Sequence, residues 1–132
     1  MARSQNDQVH AQTIMVVEDY DDTRLLLTQA LEAKGYGVLE AINGQEAVEL
    51  SIREHPDLIL MDLDLPILDG IAATQQIRQQ SQITQVPIIA VTAYPMSYTR
   101  IKAFAQGCNG YVAKPIDLTE LQELILRCLF RS

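Results

Sequence analysis

Residues 56–62 read Pro-Asp-Leu-Ile-Leu-Met-Asp, an apolar run that follows a proline and ends at a carboxylate. Its central residues do not alternate with polar ones, which is typical of a strand buried on both faces, as in a parallel sheet. Residues 14–17 and 88–91 repeat this pattern, and residues 37–40 and 111–113 form weaker versions of it. The sequence therefore predicts five short strands in a parallel sheet.

Amphipathic segments separate these strands. We place the leucines of residues 25–31 on one face of a first helix, which Asp21 and Asp22 cap and which ends at a cation and a C-cap glycine, Lys34-Gly35. A capping box at residues 43–46 opens a second helix that runs to about Glu54 and is followed by His55. The remaining predicted helices cover residues 71–80, residues 96–106, and a segment capped by Asp117 with an apolar stripe of Leu118, Leu121, Leu124, Ile125 and Cys128.

The strict alternation of strands and helices defines the fold class. Right-handed crossovers turn five such units into an α/β fold, a doubly wound five-stranded parallel sheet with helices on both faces. In open sheets of this kind the functional crevice lies beyond the carboxyl ends of the strands.

Length, net charge and composition exclude some classes of protein. The 132 residues suffice for one domain, which we place at residues 13–130 after a flexible N-terminal segment of residues 1–12. A net charge of −7 disfavours direct nucleic-acid binding, and the chain contains no run of 18 apolar residues that would span a membrane. We expect a soluble, cytoplasmic, stand-alone protein whose Cys108 and Cys128 are free thiols.

The polar and charged side chains that could form a functional site lie at the strand ends. Glu18 and Asp19 follow the first strand, Asp62 ends the third, Thr92 ends the fourth and Lys114 follows the fifth. Two carboxylates about 4 Å apart repel by roughly 4 kcal/mol at an effective dielectric constant of 20, and one lysine cannot neutralise three of them. All-oxygen ligands favour Mg²⁺ or Mn²⁺, and a metal beside a lysine can hold phosphoryl oxygens.

The chain resembles a response-regulator receiver domain, of the single-domain chemotaxis-regulator type, from about Thr13 to Phe130. The resemblance is carried by four segments in order: residues 16–19, residues 56–70, residues 87–93 and residues 110–115. It implies a flavodoxin-like strand order of 2-1-3-4-5.

The family resemblance also implies a function: a phosphoacceptor switch of a two-component phosphorelay. Asp62 would take a phosphoryl group from a histidine kinase. Asp19, Asp62 and the backbone carbonyl of Asp64 would bind Mg²⁺ directly, and Glu18 would do so through a water.

The remaining site residues follow from the same resemblance. Lys114 and the backbone amide of Ala93 would bind the phosphoryl group, and Thr92 would hydrogen-bond to it. Thr92 and Tyr111 would form the switch, with Tyr111 turning inward when Thr92 moves. The Lys114-Pro115 peptide bond would be cis.

Partners are implied in the same way. A sensor histidine kinase or a phosphotransfer protein would donate the phosphoryl group, and a downstream protein target would bind the face of the fourth helix, fifth strand and fifth helix. Tyr98, Arg100, Ile101 and Tyr111 lie near that face. Such a switch is not an enzyme beyond catalysing its own phosphorylation and dephosphorylation.

Two other functions remain open. Asp62-Leu63-Asp64 also fits a phosphohydrolase of the haloacid-dehalogenase type, although Pro66 departs from that family's motif and no cap insertion is present. A phosphorylation-independent scaffold would have the same fold. In addition, Thr92 could be an ordinary strand residue and Tyr111 an ordinary core aromatic.

Four residues depart from the usual receiver pattern. Glu18 stands where many relatives have aspartate, Asp64 lies two residues after the acceptor, and Tyr94-Pro95 follows Thr92 and Ala93. We expect metal binding to survive the first change. We expect Tyr94 and Asp64 to flank the approach of water to Asp62. Tyr94 should obstruct the water, whereas the Asp64 carboxylate could either repel a hydroxide-like nucleophile or orient the water as a general base. Obstruction predicts slow loss of the phosphoryl group.

Overall fold

A computed structural model describes residues 12–65, 67–80, 83, 85–93 and 97–130 of the chain. Its five strands pair in parallel in the order β2-β1-β3-β4-β5, which confirms the predicted fold class and strand order. The strands are β1 (Thr13–Val17), β2 (Gly37–Ala41), β3 (Leu58–Asp62), β4 (Ile88–Thr92) and β5 (Gly110–Ala113).

A helix follows each strand within the described part of the chain. The helices are α1 (Asp21–Ala33), α2 (Gly44–Glu54), α3 (Gly70–Arg78), α4 (Ser97–Ala105) and α5 (Leu118–Phe130). None of the helices in these ranges is long and apolar enough to cross a membrane.

Two apolar clusters cover the two faces of the sheet. Because successive side chains of a strand point to opposite faces, Met15 and Val17 join the cluster that contains residues of α2, α3 and α4, while Ile14 and Val16 join the cluster of α1 and α5. Ile14, Met15 and Val16 have no exposed surface. The unbroken apolar runs of the sequence therefore reflect burial of the strands from both sides.

The first helix corrects two sequence predictions. The side chains of Leu25 and Leu26 are 56% and 58% exposed, and only Leu27 and Leu31 enter the core. Consecutive helical residues are about 100° apart, so three adjacent leucines cannot share one face. Asp21 and Asp22 do not cap the helix: the N-cap residue is Tyr20, without a side-chain cap, and the two acids lie in the first turn, where they complement the helix dipole.

Three of the other predicted helix caps agree with the structure, whereas the helix predicted at residues 71–80 spans Gly70–Arg78. Gly35 follows α1 with φ +96°, in the left-handed region that favours glycine. Asn43 caps α2 by accepting a hydrogen bond from the Glu46 amide at 2.8 Å, and His55 is the C-cap residue. Asp117 Oδ1 accepts hydrogen bonds from the backbone amides at the start of α5.

Strand register gathers the strand ends at one edge of the sheet. Val17 pairs with Met61, Asp62 with Val91, and Thr92 with Ala113. The residues at or just after these positions therefore come together although they lie far apart in sequence.

Candidate functional site

Three carboxylates meet at this edge. Glu18 and Asp19 follow β1, Asp62 is the last residue of β3, and oxygen atoms from all three side chains lie within 4.8 Å of one another. Glu18 and Asp62 are 3% and 2% exposed, whereas Asp19 is open to solvent. Such a set of hard oxygen donors, with one side accessible, fits Mg²⁺ better than a softer metal.

Lys114 is the cation of this cluster. Its Nζ donates a hydrogen bond to Asp62 Oδ2 at 3.0 Å and lies 3.3 Å from Glu18 Oε1. Burial by itself would lower the pKa of Lys114, but the hydrogen bond and charge of Asp62, with the charge of Glu18, outweigh it and raise the pKa. Lys114 therefore stays protonated. The Lys114-Pro115 bond is cis, as the family resemblance implies.

The single charge of Lys114 does not neutralise both buried carboxylates, Glu18 and Asp62. Burial raises the pKa of Glu18 above its usual 4.5, and the negative charge of Asp62 adds to this, while the Tyr20 amide and Lys114 lower it. The raised pKa shows that a negative charge at Glu18 is disfavoured. A further cation at the cluster would relieve that cost.

Asp62 is held on both carboxylate oxygens. Oδ2 accepts from Lys114, and Oδ1 accepts a hydrogen bond from the Asp64 backbone amide at 2.8 Å. The carboxylate is therefore fixed in orientation at the end of β3. A buried carboxylate with a fixed orientation is suited to act as a nucleophile.

The carboxylate of Asp64 accepts hydrogen bonds from Thr92 and Ala93. The Thr92 hydroxyl is 3.2 Å from both carboxylate oxygens of Asp64, and the Ala93 amide donates to Asp64 Oδ2 at 3.1 Å. Sequence reasoning gave the Asp64 backbone a role at the metal and placed its side chain beside the path of water to Asp62, but it missed these side-chain hydrogen bonds. The one available signal was its position two residues after Asp62.

Tyr111 lies on β5 and is half-buried. The Arg100 guanidinium carbon lies 5.7 Å from the centroid of its ring, a cation–π contact. Burial raises the pKa of Tyr111, Arg100 lowers it and the charge of Asp64 raises it, so the three residues share one electrostatic environment. The residues Pro66, Tyr94 and Pro95, on which other predictions depended, lie outside the described residues, and so does the side chain of Tyr98.

Arg24 supports the site and was missed by sequence reasoning. Its guanidinium donates to the backbone carbonyl of Glu18 at 2.9 Å, to Glu40 at 2.9 Å and to Asp21 at 2.7 Å. The contact with Asp21 has the i,i+3 spacing expected on a helix, but the other two depend on how α1 packs against the sheet.

Comparison with known proteins gives the same assignment. The family model of the response regulator receiver domain matches residues 14–126. Over 113 residues the chain is 35% identical to the polar-differentiation response regulator DivK of Brucella ovis, covering 86% of this chain and 92% of that protein.

Two solved structures add detail. The receiver domain of sensor histidine kinase PA1611 from Pseudomonas aeruginosa, with a magnesium ion coordinated in its active site cleft, is 38% identical with a TM-score of 0.85, over 91% of this chain and 98% of that one. The co-crystal structure of the Saccharomyces cerevisiae histidine phosphotransfer signaling protein Ypd1 with the receiver domain of its downstream response regulator Ssk1 matches at 33% identity and a TM-score of 0.82, over 89% and 88% of the two chains. From its sequence, fold and acidic strand-end cluster, the chain belongs to the response regulator receiver domain family of two-component signalling.

Proposed function

We propose that this receiver domain, residues 13–130, accepts its phosphoryl group on Asp62. The observation that supports this is the double anchoring of the Asp62 carboxylate by Lys114 and the Asp64 amide, 2% exposed at the edge of the sheet. A carboxylate oxygen of Asp62 attacks the phosphorus of a phosphohistidine, the N–P bond breaks, and an acyl phosphate forms on Asp62 while the electron pair returns to the imidazole.

Mg²⁺, or Mn²⁺ in its place, would supply charge neutralisation for the phosphoryl oxygens. Asp19, Asp62 and the backbone carbonyl of Asp64 would hold it directly, and Glu18 through a water. The magnesium ion in the cleft of the PA1611 receiver domain supports this choice, as does the hard-oxygen donor set of this chain.

Three residues would bind the phosphoryl group, and a fourth would change conformation in response. Lys114 remains protonated and pairs with a phosphoryl oxygen, and the Thr92 hydroxyl and Ala93 amide donate hydrogen bonds to it. Tyr111 lies on β5 opposite Ala90 of β4, two residues before Thr92, and would report the change by turning inward.

The partners follow from this chemistry. The phosphoryl donor is a sensor histidine kinase or a phosphotransfer protein. The receiver domain of the sensor histidine kinase PA1611 and the complex of the Ssk1 receiver domain with the phosphotransfer protein Ypd1 support these two choices. The downstream protein target binds the surface of α4, β5 and α5, where Ile101 and Phe104 are 68% and 41% exposed. The protein acts in the cytoplasm, without a membrane or direct nucleic-acid contact, and catalyses only its own phosphorylation and dephosphorylation.

Intact-mass measurement tests this function. Incubation with Mg²⁺ and a small phosphodonor such as acetyl phosphate should add one phosphoryl group to the wild type and none to Asp62→Asn, which keeps the shape but removes the nucleophile. Asp22→Asn, an exposed acid outside the site, should be phosphorylated like the wild type. An equal mass gain in Asp62→Asn would disprove the assignment, and steady turnover of p-nitrophenyl phosphate would instead favour a phosphohydrolase.

A further inference from the structure

The Asp64 carboxylate occupies two donors that the proposed function assigns to the phosphoryl group. It accepts from the Thr92 hydroxyl at 3.2 Å and from the Ala93 amide at 3.1 Å. Thr92 has no exposed surface, so its hydroxyl proton needs an acceptor inside the site. Asp64 supplies that acceptor before any phosphoryl group is present.

We propose that Asp64 is a tethered competitor of the phosphoryl group. In the unphosphorylated protein its carboxylate holds the Thr92 hydroxyl and the Ala93 amide, and phosphorylation of Asp62 must displace it from both. This inference rests on the proposed function, because it takes Thr92 and Ala93 to be phosphoryl-binding residues.

Geometry makes the exchange feasible. The Asp64 backbone is tied to the acceptor, since its amide donates to Asp62 Oδ1 at 2.8 Å. Because the aspartate side chain is short, the Asp64 carboxylate must stay close to the place where a phosphoryl group on Asp62 would lie. Because Asp64 is exposed, the displaced carboxylate can turn into solvent and be hydrated instead of remaining buried without a partner.

Charge explains why the two anions exclude each other. A carboxylate and a phosphoryl group are both negative and both prefer the same N–H and O–H donors. Two such anions beside Asp62 would repel across a few ångströms, in a site that already contains Glu18 and Asp19. Only one of them can occupy the Thr92 and Ala93 donors at a time.

The competition gives Asp64 a positioning role in the switch. Bonded to Asp64, Thr92 is held in place in the resting protein and cannot move toward Asp62. Removing the carboxylate should therefore favour the phosphorylated arrangement of Thr92.

The test measures binding of beryllium fluoride, a phosphoryl mimic that bonds to aspartate, at saturating Mg²⁺ by amide NMR. Asp64→Ala should bind it about tenfold more tightly than the wild type, the factor that corresponds to one charge-assisted hydrogen bond of about 1.4 kcal/mol. Asp22→Ala removes an exposed charge outside the site and should bind like the wild type. Unchanged or weaker binding by Asp64→Ala would overturn the inference.

A double mutant separates competition from general charge repulsion. If Asp64 competes for the two donors, Asp64→Ala should increase the affinity for beryllium fluoride much less in a Thr92→Ala background, where one donor is already absent. An equal increase in affinity in both backgrounds would show that only charge matters and would overturn the proposal.

A second readout needs neither metal nor mimic. The Ala93 amide should exchange its hydrogen faster in Asp64→Ala than in the wild type or Asp22→Ala, because its acceptor is lost. Equal exchange rates would contradict the Asp64–Ala93 bond.

Beryllium fluoride binding that survives in Asp62→Asn would overturn the proposed function, and with it this inference. Wild-type binding that depends on Asp62 but not on Asp64 would overturn the inference alone.

Discussion

Lys114 Nζ lies 3.0 Å from Asp62 Oδ2 although the two residues are 52 positions apart in sequence. The same ammonium group lies 3.3 Å from Glu18 Oε1, so one cation stands between two buried carboxylates. Lys114 itself is 26% exposed, which leaves its charge partly hydrated. Within the part of the chain that the structure describes, the Glu18 and Asp62 carboxylates therefore depend on the positive charge of Lys114.

Replacing Lys114 should therefore destabilise the protein without metal. We expect Lys114→Met to lose about 1–3 kcal/mol of unfolding free energy, less than for a fully buried pair, because two buried carboxylates are left without a cation. Urea unfolding in EDTA measures this. Since the pKa of Lys114 is raised above its usual 10.5, the contribution of Lys114 is present in full below about pH 10.5 and is lost at higher pH. Lys34→Met, on an exposed residue, is the control, and equal stability of Lys114→Met and wild type would contradict the prediction.

Mg²⁺ should stabilise the fold, because the unfolded chain lacks the site. At ten times Kd the stabilisation is roughly 1.4 kcal/mol, or about 5 °C in Tm for a domain of this size. Thermal melts with Mg²⁺ and with EDTA at matched ionic strength measure the shift. Asp19→Ala removes a proposed ligand and should abolish it. An identical shift in Asp19→Ala would place the ion elsewhere.

Glu18→Gln should increase stability in EDTA at neutral pH. Because the folded-state pKa of Glu18 is raised, the ionised side chain costs stability above that pKa, and the cost disappears as the pH falls below its usual 4.5. The advantage of Glu18→Gln over the wild type should therefore be largest near pH 7 and vanish below about pH 4. Denaturant unfolding of both proteins across this range gives the difference, and a constant difference would show that charge is not its cause. With saturating Mg²⁺ the advantage should fall, since the metal favours ionised Glu18.

Gly70 should resist substitution because the backbone of Asp62 and Leu63 passes against it. A Cβ there would press on the carbonyl oxygen of Asp62 and lie 2.8 Å from Leu63 Cα. We expect Gly70→Ala to lose about 1–3 kcal/mol and to be phosphorylated more slowly, as the end of β3 shifts. Gly37→Ala is the matched control, since its Cβ would meet only Thr13 Oγ1 at an ordinary 3.5 Å. Similar melting temperatures for the two variants would argue against a clash at Gly70.

The sequence by itself predicted the sheet and the cluster at its edge. Runs such as residues 58–61, without polar residues, are stable only where both faces are buried, and this requirement determines a parallel sheet with helices on each side. The carboxyl ends of parallel strands meet at one edge, so the pattern placed Glu18, Asp19 and Asp62 at the same edge of the sheet. Their closeness along that edge also depends on β1 lying next to β3. The strand order and the cis Lys114-Pro115 bond came from the family resemblance and not from the pattern.

Only the tertiary structure decided which partners these side chains take. Three adjacent leucines in α1 are equivalent in sequence, and the angle at which the helix packs leaves Leu25 and Leu26 exposed. The bonds of Arg24 to the Glu18 carbonyl and of Asp64 to Thr92 join residues on different elements, and their lengths depend on rotamers and strand register. Periodicity in a sequence specifies which face of an element is apolar, because burial follows a repeat. It does not specify a hydrogen bond between residues of different elements, because that bond depends on distances of a few tenths of an ångström that only the packed chain fixes.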